Sequence, residues 1–265
     1  MKKSQFAEEL YKRYGFVTRA RGPYLYTKKN VRIIDLYQEN GRAILGWDAG
    51  SAYTYFKNFM TKGLMGSFIT EDKARIEKAV STLLNSSRKV FYFNCKEDAL
   101  KSGLNFSLEN TSVYMPWNQE NKEWEKVDSI ILTPPLPWTD NLYILAVKEE
   151  LCQKAQNLES FTAKSQKIAF ALEAAITRAI YDLIAALKER EEKDWFIYDP
   201  VITKYWERKG PYLYTKIPQE KYDDFVLHCL DLGIAVNPSY NCPSIIPYGA
   251  DKGNFTKLKN SPFTF

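Results

Sequence analysis

One long amphipathic stretch, with short strand-like segments on both sides of it, constrains this chain most. From about Lys164 to about Glu191, the residues Ile168, Leu172, Ile176, Ile180, Leu183, Ile184 and Leu187 recur at helical spacing. That spacing puts them on one face of a single helix. A helix so long predicts a spine shared by two domains. The 265 residues have room for one large core or two modest ones.

The segments before the spine alternate between strand and helix. Phe6, Leu10, Tyr11 and Tyr14 suit a short amphipathic helix. Gly22-Pro23 punctuates, Tyr24-Leu25-Tyr26 extends, Lys29-Asn30 turns, and Val31 to Leu36 returns, which predicts a hairpin. Asn40-Gly41 marks a turn, and a helix follows near Ala52 to Phe59. Thr70 caps the next helix, whose apolar face is Ile76, Ala79, Val80, Leu83 and Leu84. Strands are expected at Val90 to Phe93, Ser112 to Met115, Ser129 to Leu132 and Leu142 to Val147, with Asn118 to Lys126 a polar connection. After the spine, Pro218 opens a helix and Gly233 closes it. The heptapeptide GPYLYTK occurs at Gly22 to Lys28 and again at Gly210 to Lys216. Its flanks differ and no period extends it, so it reads as two similar strands with the same Gly-Pro entry, not as a tandem duplication.

Composition narrows the function classes. The net charge of +5 is spread among interspersed acids and bases, which describes a solvated surface and not a nucleic-acid footprint. The run Lys204, Tyr205, Trp206, Arg208, Lys209 is basic and aromatic, but Glu207 interrupts it. The four cysteines, Cys95, Cys152, Cys229 and Cys242, include no C-x-x-C pair, and His228 is the single histidine, so no metal site is expected. His228 and Cys229 are adjacent on a helix and point different ways, so they do not make a nucleophile and base. No run is long enough to span a bilayer and the start has no apolar signal core, which predicts a cytoplasmic protein with reduced thiols. Aromatics at 15% favour extensive ring packing or a stacking surface, and Trp117 and Trp138, each after a Pro, are candidates for either.

The order of motifs resembles one family. RGPYLYTKKNVRIIDLYQENGRAILG is similar to the N-terminal segment of class III aminotransferases, above all their glutamate-1-semialdehyde aminomutase branch. The matching residues are Gly22, Tyr24, Leu25, Ile34, Asp35, Gly41, Leu45 and Gly46, and Trp47 stands where the family has a histidine. VFYFNCKEDAL resembles the family's phosphate cup, keeping Asn94 and Ala99 but carrying Cys95, Lys96, Glu97 and Asp98 in place of its Ser, Gly, Thr and Glu. LDLGIAVNPSYNCPSI resembles a C-terminal stretch through Gly233, Pro238 and Ser239.

The resemblance implies a shortened α/β protein: a reduced pyridoxal-phosphate-transferase-like large domain over residues 71–191, and a smaller α+β domain built from 1–70 and 192–265. It implies cofactor-binding positions at Asn94, Cys95 and Lys96. A phosphate there needs small hydroxyls and close backbone approach at a helix N-terminus. Glu97 and Asp98 oppose an anion, and Asn94 with Glu97 has the spacing of a capping box that satisfies the helix without a ligand. The family's ring-nitrogen Asp falls on Ala146 and a preceding Glu on Thr133. The candidate Schiff-base lysines Lys148, Lys154, Lys164 and Lys167 lack the family's loop context. The expected protein has no catalytic residues and no cofactor. It is a homodimer or binds a protein partner, and binds neither nucleic acid nor membrane. The alternative is a pyridoxal-phosphate enzyme with a displaced site.

Overall fold

The computed structural model describes residues 1–48, 50–64, 72–107, 109–118, 123–154 and 165–265, with side chains described for all of these but 72–74. The chain divides into two compact units. Unit 1 takes Met1–Asp48, Trp117–Gln119 and Lys188–Phe265; unit 2 takes Ala49–Pro116 and Glu120–Leu187. The strands in chain order are β1 (Val17–Arg21), β2 (Tyr24–Thr27), β3 (Arg32–Asp35), β4 (Arg88–Phe93), β5 (Thr111–Val113), β6 (Ser129–Leu132), β7 (Tyr143–Lys148), β8 (Trp206–Lys209), β9 (Tyr212–Thr215), β10 (Ile234–Ala235) and β11 (Ser244–Ile245).

Unit 1 holds two sheets. One has the order β1-β2-β3-β10, antiparallel except that β10 runs parallel to β3, with Ile234 beside Ile34 and Ala235 beside Asp35. The other has the order β11-β9-β8 and is antiparallel throughout. The two GPYLYTK copies supply β2 and β9, so each is a strand as its alternation predicts, and each joins a different sheet. The helix Lys3–Tyr14 buries Phe6 and Leu10, while Tyr11, expected on the apolar face, is 51% exposed and packs on Phe16. The helix Tyr222–Asp231 buries Tyr222, Phe225, Val226, Cys229 and Leu230. These join Ile33, Ile34, Leu36, Tyr205 and Trp206 in one core, where each fully buried aliphatic or aromatic side chain contributes roughly 1.5–3 kcal/mol.

Unit 2 is built on the sheet β4-β7-β6-β5. β7 lies antiparallel between β4 and β6, and β5 is parallel to β6. The helix Lys96–Phe106 and the short helix Glu149–Lys154 place Ala99 and Cys152 against Phe91, Phe93, Ile131, Leu145 and Val147. The long helix runs Phe170–Glu189; of the expected face Ile176, Ile180 and Leu183 are buried and Leu172, Ile184 and Leu187 half-buried, while Glu173, Ala174, Ala175 and Thr177 are buried as well. Its expected start at Lys164 lies outside the described residues. Ile168 precedes the helix, in a segment that joins β4 at Ser165 and Gln166, which bond Tyr92 N and Tyr92 O. In the helix Asp72–Leu84, Ile76, Ala79, Val80 and Leu84 are buried. Its proposed cap Thr70 lies outside the described residues.

Candidate functional site

β4 ends at Phe93 and the helix Lys96–Phe106 begins three residues later. The cap is Cys95, in extended geometry, with Sγ accepting the Asp98 N–H at 3.4 Å. The expected pairing of Asn94 with Glu97 is therefore displaced by one residue. Cys95, directly before the first helical residue and in extended geometry, takes the cap position. Asn94 and Lys96 are exposed and Cys95 is partly so.

The Cys95 thiol reports the potential at this helix start. The Asp98 backbone N–H favours the thiolate, yet the Asp98 carboxylate, desolvation and the charge of Glu97 together hold the thiol above its ordinary value. A helix N-terminus normally does the opposite. Glu97 and Asp98 stand exposed in the first turn, so the helix start carries negative charge where an anion would sit, a poor match to a bound phosphate. The double variant Glu97→Gln, Asp98→Asn is expected to lower the pH at which Cys95 becomes alkylated, followed by peptide mass spectrometry. An unchanged midpoint would refute the electrostatic account.

The sheet also relocates the expected ring partner. Ala146 is fully buried in mid-strand, paired with Val90 and Ile130, so it does not end a strand. The reason is direction: β7 is antiparallel to both neighbours, and Tyr143, its first residue, lies beside Phe93. The residues following β4, β6 and β5 at that edge are Asn94, Thr133 and Tyr114, none a carboxylate. Lys148 pairs with Arg88 at the opposite edge, about 17 Å away over five residues of strand. Its Nζ donates to Lys126 O and pairs with Asp128, each at 3.0 Å. Lys154 and Lys167 are exposed, and Lys164 lies outside the described residues.

The remaining candidates resolve into packing. His228 Nε2 meets Ser261 O at 2.9 Å and its ring lies against Phe263, while Cys229 is fully buried and its thiol is pushed up by burial. Tyr205 and Trp206 are 1% exposed, and Arg208 is held by Asp199 and Glu192, so the basic run offers no stacking surface. Trp117 packs on Trp195 at 5.6 Å. Trp138 is 41% exposed beside Tyr53 and Phe56.

A second polar centre, in unit 1, gathers residues that carried the N-terminal resemblance. Asp35 is 2% exposed; its Oδ1 accepts the N–H groups of Tyr37 and Gln38, each at 3.0 Å, and its Oδ2 accepts Trp47 Nε1–H at 2.8 Å. Burial pushes its carboxyl up to about 6 against those three hydrogen bonds, and Glu39 adds to the rise. Beside it Gln38, Glu39 and Asn40 are all left-handed, with φ of 46°, 47° and 57°. Such residues cost about 1–2 kcal/mol each in isolation. Asn237 Nδ2–H bonds Asn40 Oδ1 at 2.8 Å and Gln38 Nε2–H bonds Ile245 O at 3.3 Å, which holds the turn from the far end of the chain. Asn40-Gly41 signals a turn in the sequence; nothing there signals its hand.

Among the described residues no helix is long and apolar enough to cross a membrane, and no three His, Cys, Asp or Glu side chains gather as metal ligands would.

No family profile matches the chain. An uncharacterized protein of Treponema pallidum is 24% identical over 283 residues, covering 91% of this chain and 92% of that protein. One of Borreliella burgdorferi is 26% identical over 253 residues, covering 91% and 89%. Among solved structures, an ornithine aminotransferase of Plasmodium yoelii superposes with a TM-score of 0.67 at 13% identity, covering 98% of this chain and 97% of that one. An acetylornithine aminotransferase of Elizabethkingia anophelis gives 0.65 at 12%, covering 98% of each. A glutamate-1-semialdehyde aminomutase of Pseudomonas aeruginosa gives 0.59 at 9%, covering 92% and 86%. At these identities the likeness is one of fold, and this chain has the mixed α/β, pyridoxal-phosphate-transferase-like fold of those aminotransferases.

Proposed function

We propose that this chain is a non-catalytic protein of the aminotransferase fold that acts as a homodimer or as a partner-binding subunit. The observation that carries the reading is the helix start after Cys95, where the exposed Glu97 and Asp98 put negative charge in the first turn, at the place a phosphate would sit. The lysines agree with it: Lys148 is tied to Asp128 at the far edge of the sheet, and a Schiff base needs an amine held free against an aldehyde. For the subunit role, Tyr53, Tyr55, Met60 and Trp138 in unit 2 are each at least 41% exposed, and aromatic and Met side chains are favoured interface anchors.

The test is borohydride trapping with stoichiometric pyridoxal phosphate, followed by peptide mapping. Scattered, substoichiometric labelling of exposed lysines is the expected outcome. One lysine labelled near one-to-one, with labelling lost when it becomes Ala, would return the protein to the enzymes. Sedimentation of the same preparation at micromolar concentration is expected to show a species larger than the monomer, alone or with its partner. A monomer throughout would remove the subunit role and leave the trapping result unaffected.

A further inference from the structure

Arg190 follows directly on the long helix Phe170–Glu189 and belongs to unit 1. Its guanidinium lies 4.3 Å from the Tyr248 ring centroid and 5.2 Å from that of Trp117. Within its plane, one Nη1–H donates to Ile44 O at 3.1 Å. A guanidinium carries five N–H donors, so most of the fork has no protein acceptor among the described residues.

Acids are close in sequence, yet none pairs with it among the described residues. Glu191 is taken by Lys193 at 2.8 Å, and Glu192 by Arg208 at 2.5 Å. Asp194 Oδ2 accepts the Glu191 N–H at 2.8 Å. Glu189, Asp194 and Tyr248 act on Arg190 only through a weaker field, and burial dominates, holding the guanidinium below its ordinary value. A half-buried cation with aromatic walls and no carboxylate paired to it among the described residues is an unusual arrangement for a helix end.

The walls are fixed. The Trp117 ring also packs on Trp195, and Trp117 itself sits at φ 60° with its carbonyl pressed on Gly210. Its Nε1–H is buried and has no acceptor among the described residues. Tyr248 is 46% exposed and forms the open side. With two rings over the guanidinium carbon and one Nη1–H on Ile44 O, the remaining N–H donors are the route to a ligand. Two coplanar oxygens match that fork, and an apolar body suits the rings.

We propose that Arg190, between Tyr248 and Trp117, anchors a carboxylate-binding site in unit 1. The occupant is an organic carboxylate with an apolar or aromatic body, either a free small acid or the C-terminus of a peptide. The site is separate from the helix start at Cys95 and does not depend on whether the protein is catalytic.

The test is titration of the 15N-labelled protein at fixed ionic strength, reading the Arg190 side-chain N–H resonance and, in every variant, the Trp117 indole N–H resonance. The probes are benzoate, benzamide, and an N-acetylated dipeptide as its acid and as its amide. At least one of the two acids is expected to give a saturable shift, and neither amide. A response to benzoate alone assigns a free acid; a response to the dipeptide acid alone assigns a chain terminus. Arg190→Lys, which keeps the charge and loses the fork, is expected to weaken binding by about tenfold or more. Tyr248→Leu, at the exposed wall, is expected to weaken it several-fold and carries the test if the Arg190 variant does not fold. Three outcomes would overturn the proposal: no saturable shift up to about 10 mM acid, equal response to the amides, or undiminished binding in a folded variant.

Discussion

Replacing Gly210 with alanine is expected to lower the unfolding free energy by about 3–5 kcal/mol, while the same change at Gly22 costs only about 1 kcal/mol. The two glycines open identical heptapeptides and have nearly the same backbone, φ +57° and φ +51°. Both pay the left-handed penalty of a side chain, and both recover a little from a stiffer unfolded chain. They differ in what a new Cβ meets. At Gly22 there is nothing within 4 Å; at Gly210 the Trp117 carbonyl oxygen stands at 2.0 Å. That oxygen is backbone, on a residue itself at φ 60°, so it cannot yield as the end of a flexible side chain would. The difference between the variants isolates the contact, since the conformational terms cancel. Urea unfolding followed by tryptophan fluorescence measures it. Equal destabilisation of the two variants would mean that Trp117 moves aside freely, and that the wall beside Arg190 is not rigid.

That contrast marks what the sequence reveals and what it hides. Alternating Tyr-Leu-Tyr-Thr after Gly-Pro is enough to predict a strand at both copies, because side-chain period and turn chemistry are local. What else shares each strand's sheet is not local: β10, through Ile234 beside Ile34, joins the first sheet at β3, and β11, through Ser244 beside Leu213, joins the second at β9. The long helix is legible from Ile176, Ile180 and Leu183, since burial follows its period. The sequence does not reveal Ala146 as a mid-strand residue, because an apolar strand looks the same in either direction; only the antiparallel pairing with Val90 and Ile130 shows it. The cap moved from Asn94 to Cys95 because propensity names the better capping residue, while the strand end decides which residue is extended. Arg190 was invisible for a different reason. In KEREEK it reads as one of several charges on a solvated helix end, and only the fold brings Trp117 and Tyr248 to it.

Asp35 is expected to make the protein lose stability as pH rises from about 4 to about 6, the reverse of an ordinary paired carboxylate. The folded-state value of about 6 lies above 3.8, the value without burial. Below about pH 3 the group is protonated in both states and contributes nothing to the pH dependence. Between the two values the folded chain keeps a proton that the unfolded chain has released, so stability falls with rising pH. Above about pH 6 the whole cost is present: two pH units at 1.36 kcal/mol each, or about 3 kcal/mol. Glu9, Asp128, Glu149 and Glu191 are lowered by their partners and act in the opposite sense, losing stability as pH falls through their folded values. The raw curve therefore mixes signs, and the informative quantity is the difference from Asp35→Asn. The amide does not titrate. It must turn an N–H toward Trp47 Nε1–H or reorient, but that penalty is constant with pH. Urea denaturation of both proteins from pH 4 to 7 is expected to show the natural protein losing about 2 kcal/mol relative to the variant across that range. A difference flat to within about 1 kcal/mol would mean that water reaches the carboxylate, and that the hydrogen bonds from Tyr37, Gln38 and Trp47 hold the left-handed turn at no electrostatic cost.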